Sequence, residues 1–300
     1  MTSIIFPGQG SQFLGMSKDF YDNFQVARVT FEEIQDYTKT NLKNIIFGDN
    51  SDLLNLTENT QISIFSASML IYKTLINETD INISNINYML GHSLGEYTAL
   101  ASSQKLSLKD SSILLKKRGQ LMSNAVEPNK TGMAALIGKD INFVKKIIKN
   151  NKLNIEIAND NSPLQIVISG NINDIHQSEE IFLKNDIKKF VKLNVSAAFH
   201  SHFMIDAQKK LNDEINKINF TNNKINIISN YDANSSNDNE KILTSLKNQM
   251  ANMVRWTESV QTLINLGETE VIEIGPGKVL SGLIKRISKN IDIKSISNIS

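Results

Sequence analysis

A serine flanked by two glycines is the residue of this chain best suited to chemistry. Gly91, Ser93 and Gly95 form a Gly-x-Ser-x-Gly pattern, with an apolar run before it and a helix-forming run after it. This is the sequence of a nucleophile elbow, in which a sharp strand-to-helix turn projects the serine hydroxyl and the glycines avoid steric collisions. We therefore predict that Ser93 is a nucleophile. The alternative is a tight turn in which Ser93 only caps the following helix.

A serine nucleophile needs a base, because its hydroxyl is weakly reactive near neutral pH. The chain has four histidines. His92 adjoins Ser93 where successive side chains diverge, and His176 lies in a predicted helix, so we interpret both as structural or exposed. His200 and His202 remain as candidate bases, and their spacing alone does not choose between them.

The glycine-containing segment 6–12, Phe-Pro-Gly-Gln-Gly-Ser-Gln, follows the first predicted strand. A dinucleotide-binding fingerprint would need glycine where Phe13 stands, and the phosphate-loop pattern Gly-x-x-x-x-Gly-Lys-Ser/Thr is absent from the sequence. Such a loop can instead direct backbone N–H groups toward a developing oxyanion. We predict Gln9 and Leu94 as that pair of amides, with a plain turn as the alternative.

Arg118 is the most informative charged residue. It follows Lys116 and Lys117, yet it lies four residues after Leu114 and three before Leu121, on the apolar stripe of a predicted helix. We therefore expect Arg118 to point inward, where a guanidinium needs an anion and its planar fork suits a carboxylate. The alternative is an internal salt bridge with an acidic residue such as Glu96.

The composition excludes several classes of function. The chain has 300 residues, 40% of them hydrophobic, and a formal net charge of +1, so no overall field attracts nucleic acid or an anionic membrane. Without cysteine it has no disulfide, thiolate nucleophile or cysteine metal site, which fits a reducing compartment. The N-terminal residues lack the pattern of a signal peptide, and no apolar run approaches the length of a membrane span. We expect a cytoplasmic protein.

Short apolar runs alternate with helical patterns, which predicts an α/β fold with a mainly parallel sheet. Buried strands are expected at residues 3–6, 86–90, 225–229 and 271–274, and amphipathic helices include residues 61–76 and 110–122. The polar stretch 231–240 is interpreted as a surface loop.

Residues 128–195 have a different pattern. We predict a strand at 133–137, a helix at 141–149, strands at 153–158 and 165–169, a helix at 172–184 and a strand at 190–195. This βαββαβ order is that of a ferredoxin-like unit. We therefore predict a subdomain, residues 128–195, inserted into a body formed by residues 1–127 and 196–300, with the functional site between the two.

With these positions assembled, the chain closely resembles the malonyl-CoA:acyl carrier protein transacylases of bacterial type II fatty acid synthesis along nearly its whole length. The resemblance implies an α/β-hydrolase-like body with an inserted ferredoxin-like subdomain. It rests on segments that occur in the family's order, namely 6–12, 91–97, 118–119, 132–135, 159–163 with Gln165, 199–201, 255–256 and 273–277.

The resemblance also implies roles for the catalytic residues. Ser93 matches the acylated serine, and His200 matches the base because the family's histidine lies four residues before a methionine, here Met204. Gln249 matches a glutamine whose backbone carbonyl orients that histidine in place of the usual aspartate. Gln9 and Leu94 match the amides of the oxyanion hole.

Two further residues match positions that bind the acyl group. Arg118 matches the arginine that holds the malonyl carboxylate, and Phe199 matches the malonyl-selective form of related acyltransferases. Three positions depart from the family's usual residues without touching a catalytic role: Ala198, Leu164 and Met253.

The implied activity is a two-step transfer. Ser93 takes malonyl from malonyl-CoA, and the phosphopantetheine thiol of holo acyl carrier protein then removes it, with no metal or redox cofactor and with the enzyme as a monomer. A hydrolase sharing the elbow is one rival, against which Arg118 and the inserted subdomain count. A non-catalytic carrier-binding subunit is another, against which the intact set of Ser93, His200 and Arg118 counts.

Overall fold

A computed structural model describes residues 2–79 and 85–299 of the chain. The strands in chain order are β1 (Thr2–Phe6), β2 (Ile86–Gly91), β3 (Thr131–Ile137), β4 (Ile155–Ser162), β5 (Gln165–Asn171), β6 (Lys189–Lys192), β7 (Asn226–Ile228), β8 (Ser235–Ser236), β9 (Glu270–Ile274) and β10 (Asp292–Ile296). The helices are α1 (Lys18–Asn23), α2 (Gln25–Thr38), α3 (Leu42–Phe47), α4 (Ser51–Asn55), α5 (Thr57–Glu78), α6 (Leu94–Ser102), α7 (Leu108–Ser123), α8 (Ile141–Asn150), α9 (Ile172–Lys184), α10 (Ile205–Ile215), α11 (Asn239–Asn248), α12 (Trp256–Asn265) and α13 (Val279–Ile287).

The larger sheet has the strand order β10-β9-β1-β2-β7-β8. Its pairings are parallel except for β7 with β8. Helices cover both faces, and apolar side chains such as Ile5 and Leu90 on one face and Ile4 and Met89 on the other are buried against them. Strands buried on both faces read as continuous apolar runs, which is why the sequence revealed them. The predicted α/β fold with a mainly parallel sheet is confirmed.

The interpretation of residues 231–240 as a surface loop was wrong in part. Ser235–Ser236 form β8, which pairs with Ile227 and Ile228, and α11 begins at Asn239. Asp238 caps that helix by accepting hydrogen bonds from the backbone N–H groups of its first turn. The capping function explains why so polar a stretch contains the start of a helix.

The smaller sheet is antiparallel, with the order β4-β5-β3-β6. Together with α8 and α9 this is the predicted βαββαβ order, and these elements have their own apolar core, separate from that of the body. The strand predicted to end at residue 158 continues to Ser162, because its polar residues pair with β5 and Asn159 bridges to Val254 of the body. The last strand ends at Lys192, three residues before the predicted end.

Helix α5 is buried on nearly every side, so the interpretation of residues 61–76 as amphipathic was wrong. Its side chains from Thr60 to Tyr72 are buried, because α2, α6 and α7 surround it. A helix enclosed by other helices needs no polar face.

Within the described chain, no helix combines the length and apolar character needed to cross a membrane.

The carboxyl ends of β1 and β2 place the glycine loop beside the predicted elbow. Phe6 at the end of β1 is in register with Gly91 at the end of β2, and α6 starts after the next two residues. A Cβ atom on Gly91 would lie 2.1 Å from the backbone of Gly95, and a Cβ atom on Gly95 would lie 2.2 Å from the carbonyl oxygen of Phe6. Only glycine permits this close packing of α6 against the strand ends.

We predict that Gly95→Ala lowers the free energy of unfolding by about 2–3 kcal/mol, because the added methyl group must displace backbone atoms. Gly282→Ala is the matched control, since that glycine is exposed in α13 and a Cβ there meets nothing within 4 Å. It should be neutral or stabilising by about 0.5–1 kcal/mol, as expected for alanine in a helix. Urea unfolding of both variants checks this, and an unaffected Gly95→Ala protein would contradict the packing described.

Candidate active site

Ser93 occupies a strained turn between β2 and α6. Its backbone has φ 52° and ψ −106°, and its N–H donates to Asn230 Oδ1 at 2.6 Å. The side chain makes no capping hydrogen bond to α6. Instead Ser93 Oγ lies 2.9 Å from His200 Nε2 and 2.9 Å from Arg118 Nη2. The helix-cap alternative was therefore wrong.

His200 is held by two backbone carbonyl groups. Its Nδ1 lies 3.1 Å from the carbonyl oxygen of Gln249 and 3.1 Å from that of Asn252. Because carbonyl oxygens only accept hydrogen bonds, Nδ1 carries the proton, and the lone pair of Nε2 faces the Ser93 hydroxyl. The imidazole is thus in the tautomer required of a general base.

The pKa of His200 is lowered to about 3. Burial of the imidazole is the largest cause, and the positive charge of Arg118 is the second. The two carbonyl groups at Nδ1 oppose this shift. His200 is therefore uncharged in the free protein at neutral pH and ready to accept a proton from Ser93.

In the described chain, none of the other three histidines hydrogen-bonds to Ser93 Oγ. His202 is more than half exposed and forms an ion pair with Glu156. His92 Nε2 lies 2.8 Å from Asn161 Oδ1, and burial lowers its pKa. His176 is exposed on α9. The structure thus brings His200, and not His202, to the serine.

The two residues predicted to supply the amides of an oxyanion hole line the same cavity as Ser93. Gln9 lies in the glycine loop and Leu94 begins α6, and in the described chain neither N–H has an acceptor. A Cβ atom on Gly8 would lie 2.6 Å from the carbonyl oxygen of His92, so glycine lets the loop approach the elbow closely. Two such amides can stabilise negative charge that develops on an oxygen in the cavity.

Arg118 projects inward from α7 and is fully buried. Its Nη1 donates to Gln61 Oε1 at 2.7 Å, and its Nη2 donates to Ser93 Oγ at 2.9 Å and to Gln249 Oε1 at 3.0 Å. None of its hydrogen-bond partners in the described chain is a carboxylate. The alternative of a direct salt bridge with Glu96 is therefore wrong.

Glu96 instead reaches Arg118 through the side chain of Gln249. Gln249 Nε2 donates to Glu96 Oε2 at 2.7 Å, while its Oε1 accepts from Arg118. Glu96 is fully buried, and burial raises its pKa to about 7. The backbone N–H of Asn230 also donates to Glu96 Oε2, at 3.1 Å. A carboxyl group and a guanidinium thus lie on opposite ends of one amide.

The cavity beside Ser93 has a volume of about 100 Å³ and one apolar wall. Phe199 contributes to that wall together with Met122, Met133, Leu193 and Val195. Leu193 and Val195 follow β6, so the inserted unit helps to close the site.

In residues 2–79 and 85–299 no three His, Asp or Glu side chains are grouped closely enough to hold a metal ion.

Sequence reasoning missed Gln61, Asn230, Asn252 and the side-chain role of Gln249. Asn230 carried a usable signal, because it directly follows the strand predicted at 225–229, and functional groups gather at the carboxyl ends of parallel strands. Gln61 ends a run of five polar residues, 57–61, at the start of α5, so its residue type gave no signal. Asn252 acts through its backbone carbonyl, for which residue type gives no signal.

Known proteins resemble this chain over nearly its whole length. A family model described as acyl transferase domain matches residues 4–299. The malonyl CoA-acyl carrier protein transacylase of Bacillus subtilis (strain 168) is 35% identical over 300 residues, covering 99% of this chain and 93% of that protein.

Solved structures agree with the sequence comparisons. An acyl-carrier-protein-S-malonyltransferase from Bartonella henselae superposes with a TM-score of 0.95 at 36% identity, covering 99% of this chain and 96% of that one. The structure of a type II PKS acyl-carrier protein in complex with its malonyl-transacylase matches with a TM-score of 0.94 at 31% identity, covering 99% and 96% of the two chains.

We predict that the His200 imidazole stays neutral when the pH is lowered from about 8 to about 5, because its lowered pKa means that a proton binds only in stronger acid. Heteronuclear NMR of the imidazole nitrogens checks this, with His200→Gln used to assign the resonances. A titration centred near the ordinary value of 6.5 would contradict the described burial.

Proposed function

The chain belongs to the acyl transferase domain family and, within it, to the malonyl CoA-acyl carrier protein transacylases, and we propose that Ser93, His200 and Arg118 carry out its reaction. The enzyme moves a malonyl group from malonyl-CoA to the phosphopantetheine thiol of acyl carrier protein in fatty acid biosynthesis. The assignment of residues rests on one arrangement, in which Ser93 Oγ lies 2.9 Å from both the base His200 and the cationic Arg118.

The first half-reaction acylates the serine. His200 Nε2 takes the hydroxyl proton as Ser93 Oγ attacks the thioester carbonyl of malonyl-CoA. An ester bond forms between Oγ and the malonyl carbonyl carbon, the carbon–sulfur bond breaks, and His200 gives the proton to the departing thiolate, which leaves as the thiol of coenzyme A. The carbonyls of Gln249 and Asn252 stabilise the imidazolium that exists between these two transfers.

The N–H groups of Gln9 and Leu94 stabilise the negative oxygen of the tetrahedral intermediate. Both residues line the cavity, and their N–H groups have no acceptor in the described chain, which leaves them available for this oxygen. The second half-reaction runs the same steps in reverse order. His200 deprotonates the carrier thiol, whose sulfur attacks the malonyl ester, and the proton then goes back to Ser93.

Arg118 binds the free carboxylate of the malonyl group. The two hydrogens of its Nη2 are directed to Ser93 Oγ and Gln249 Oε1, so a substrate carboxylate at Nη2 must replace one of these acceptors. Ser93 Oγ is the acceptor that changes during acylation, since it becomes an ester oxygen and a weaker hydrogen-bond acceptor. We infer that Nη2 exchanges Ser93 Oγ for the carboxylate as the acyl-enzyme forms, with Phe199 packing beside the acyl chain.

The proposal retains three expectations drawn from the sequence. The transfer needs no metal or redox cofactor, because a serine, a histidine and backbone amides suffice for acyl exchange between thiols. The enzyme acts as a monomer. Malonyl-CoA and holo acyl carrier protein are its two substrates.

We predict that mixing the enzyme with malonyl-CoA adds one malonyl group to Ser93, and that holo acyl carrier protein removes it faster than water does. Intact-mass spectrometry before and after addition of the carrier measures both steps, and peptide mapping locates the adduct. Ser93→Ala should give no adduct. An adduct on another residue, or equal decay with and without the carrier, would contradict a serine-based transferase.

We predict that Arg118→Ala loses malonyl transfer but keeps acetyl transfer, because acetyl lacks the carboxylate that a guanidinium binds with two hydrogen bonds. Loss of one partner of a buried charged pair costs about 3–5 kcal/mol, which corresponds to roughly 10²–10⁴ in kcat/KM for malonyl-CoA.

Arg118→Lys is the matched variant, and it should lose less because it keeps the charge while losing the planar fork. Acylation rates with malonyl-CoA and acetyl-CoA decide the outcome. Equal losses with the two substrates would make Arg118 a structural residue rather than the carboxylate receptor.

A further inference from the structure

The side chain of Gln249 has one possible orientation. Its Nε2 donates to the backbone oxygen of Ser93 at 2.9 Å and to Glu96 Oε2 at 2.7 Å, and its Oε1 accepts from Arg118 Nη2 at 3.0 Å. Turning the amide over would bring its NH2 group to the guanidinium, which is donor-only, and its oxygen to two acceptors. All three hydrogen bonds would be lost together.

This orientation places one amide between a buried carboxyl group and a buried guanidinium. Arg118 and Glu96 are both fully buried, and each hydrogen-bonds to the same amide instead of to the other. A guanidinium and a carboxylate in a buried site normally form a direct, bidentate pair. Glu96 therefore does not pair directly with Arg118, which lines the cavity beside Ser93.

The guanidinium has hydrogen-bonding capacity that the protein leaves open. Its buried Nε makes no hydrogen bond in the described chain, although the guanidinium carbon lies 5.3 Å from the centroid of the Tyr97 ring. The acceptors of Nη1 and Nη2 are uncharged oxygens of Gln61, Gln249 and Ser93. A carboxylate arriving from the cavity therefore meets no competing carboxylate on Arg118.

We propose that the Gln249 side chain is a specificity-determining spacer, which holds Glu96 one amide away from Arg118 so that Arg118 stays available for the carboxylate of the malonyl group. This role is distinct from that of the Gln249 backbone carbonyl, which orients His200, and it rests on the proposed function of Arg118. A carboxylate placed at position 249 would pair with Arg118 directly and occupy the receptor.

Exchanging the two side chains tests the spacer without changing the net charge. In the double variant Glu96→Gln/Gln249→Glu, the carboxylate contacts Arg118 and the amide lies behind it. We expect the ratio of malonyl to acetyl acylation rates on Ser93 to fall at least tenfold, because only the malonyl carboxylate competes with the new ion pair.

The single variant Gln249→Glu should show the same fall, because the two adjacent carboxyl groups share a proton and Arg118 attracts the ionised one. If the double variant does not fold, the ratio of malonyl to acetyl acylation rates in Gln249→Glu still tests the spacer. Glu96→Gln alone should keep the malonyl preference, since Arg118 still contacts an amide, although the protein loses stability. Glu268→Gln is the matched control, because Glu268 is a buried carboxyl with Ser3 as partner and lies outside the site.

The outcomes separate the two proposals. If the wild-type protein is not malonylated on Ser93, or does not prefer malonyl to acetyl, the proposed function fails. If the wild-type protein behaves as expected but Gln249→Glu or the exchanged variant keeps its malonyl preference, the spacer is refuted. Equal losses of both acyl groups in these variants would also refute it, because they would indicate a structural role alone.

Discussion

The buried positive charge of Arg118 is the constraint on which the rest of the site depends. A buried guanidinium is costly unless its donors find acceptors, and here uncharged oxygens from α5, from the elbow and from the end of α11 accept hydrogen bonds from Nη1 and Nη2. A direct carboxylate partner would stabilise the charge more simply, but it would also occupy the group that we propose binds the substrate carboxylate. The structure resolves this conflict by placing Glu96 behind an amide.

The same charge shapes the chemistry at Ser93. Burial of the imidazole and the positive charge of Arg118 both disfavour a second proton on His200, which keeps the imidazole neutral. Two carbonyl oxygens, rather than an aspartate, hold Nδ1. A carboxylate at that position would raise the basicity of His200 and place a second negative charge near the one that the substrate brings. The two carbonyl groups orient the ring without adding that charge.

Two parts of the fold position the residues of the site: the parallel sheet and the segment that follows the inserted unit. The carboxyl ends of β1, β2 and β7 converge in the parallel sheet, which places the glycine loop, Ser93 and Asn230 at one edge. His200 arrives from the chain that leaves the inserted unit, where Ala198 N–H donates to Thr131 Oγ1 at 3.0 Å. Proline at position 198 could not make that bond. The insertion therefore positions His200 as well as closing the cavity.

The sequence by itself was sufficient for the α/β architecture, the βαββαβ order and the inward direction of Arg118, because apolar periodicity and glycine-dependent turns are local properties. It also indicated Ser93, since an elbow is defined by five consecutive residues. It did not choose between His200 and His202 by spacing, and it gave no sign that Asn252 contributes a carbonyl group, because backbone atoms carry no residue signal. Nor could it distinguish a direct salt bridge between Glu96 and Arg118 from one interrupted by Gln249. Those three residues lie on α6, on α7 and after α11, and only the packing of these helices decides which side chain lies between the other two.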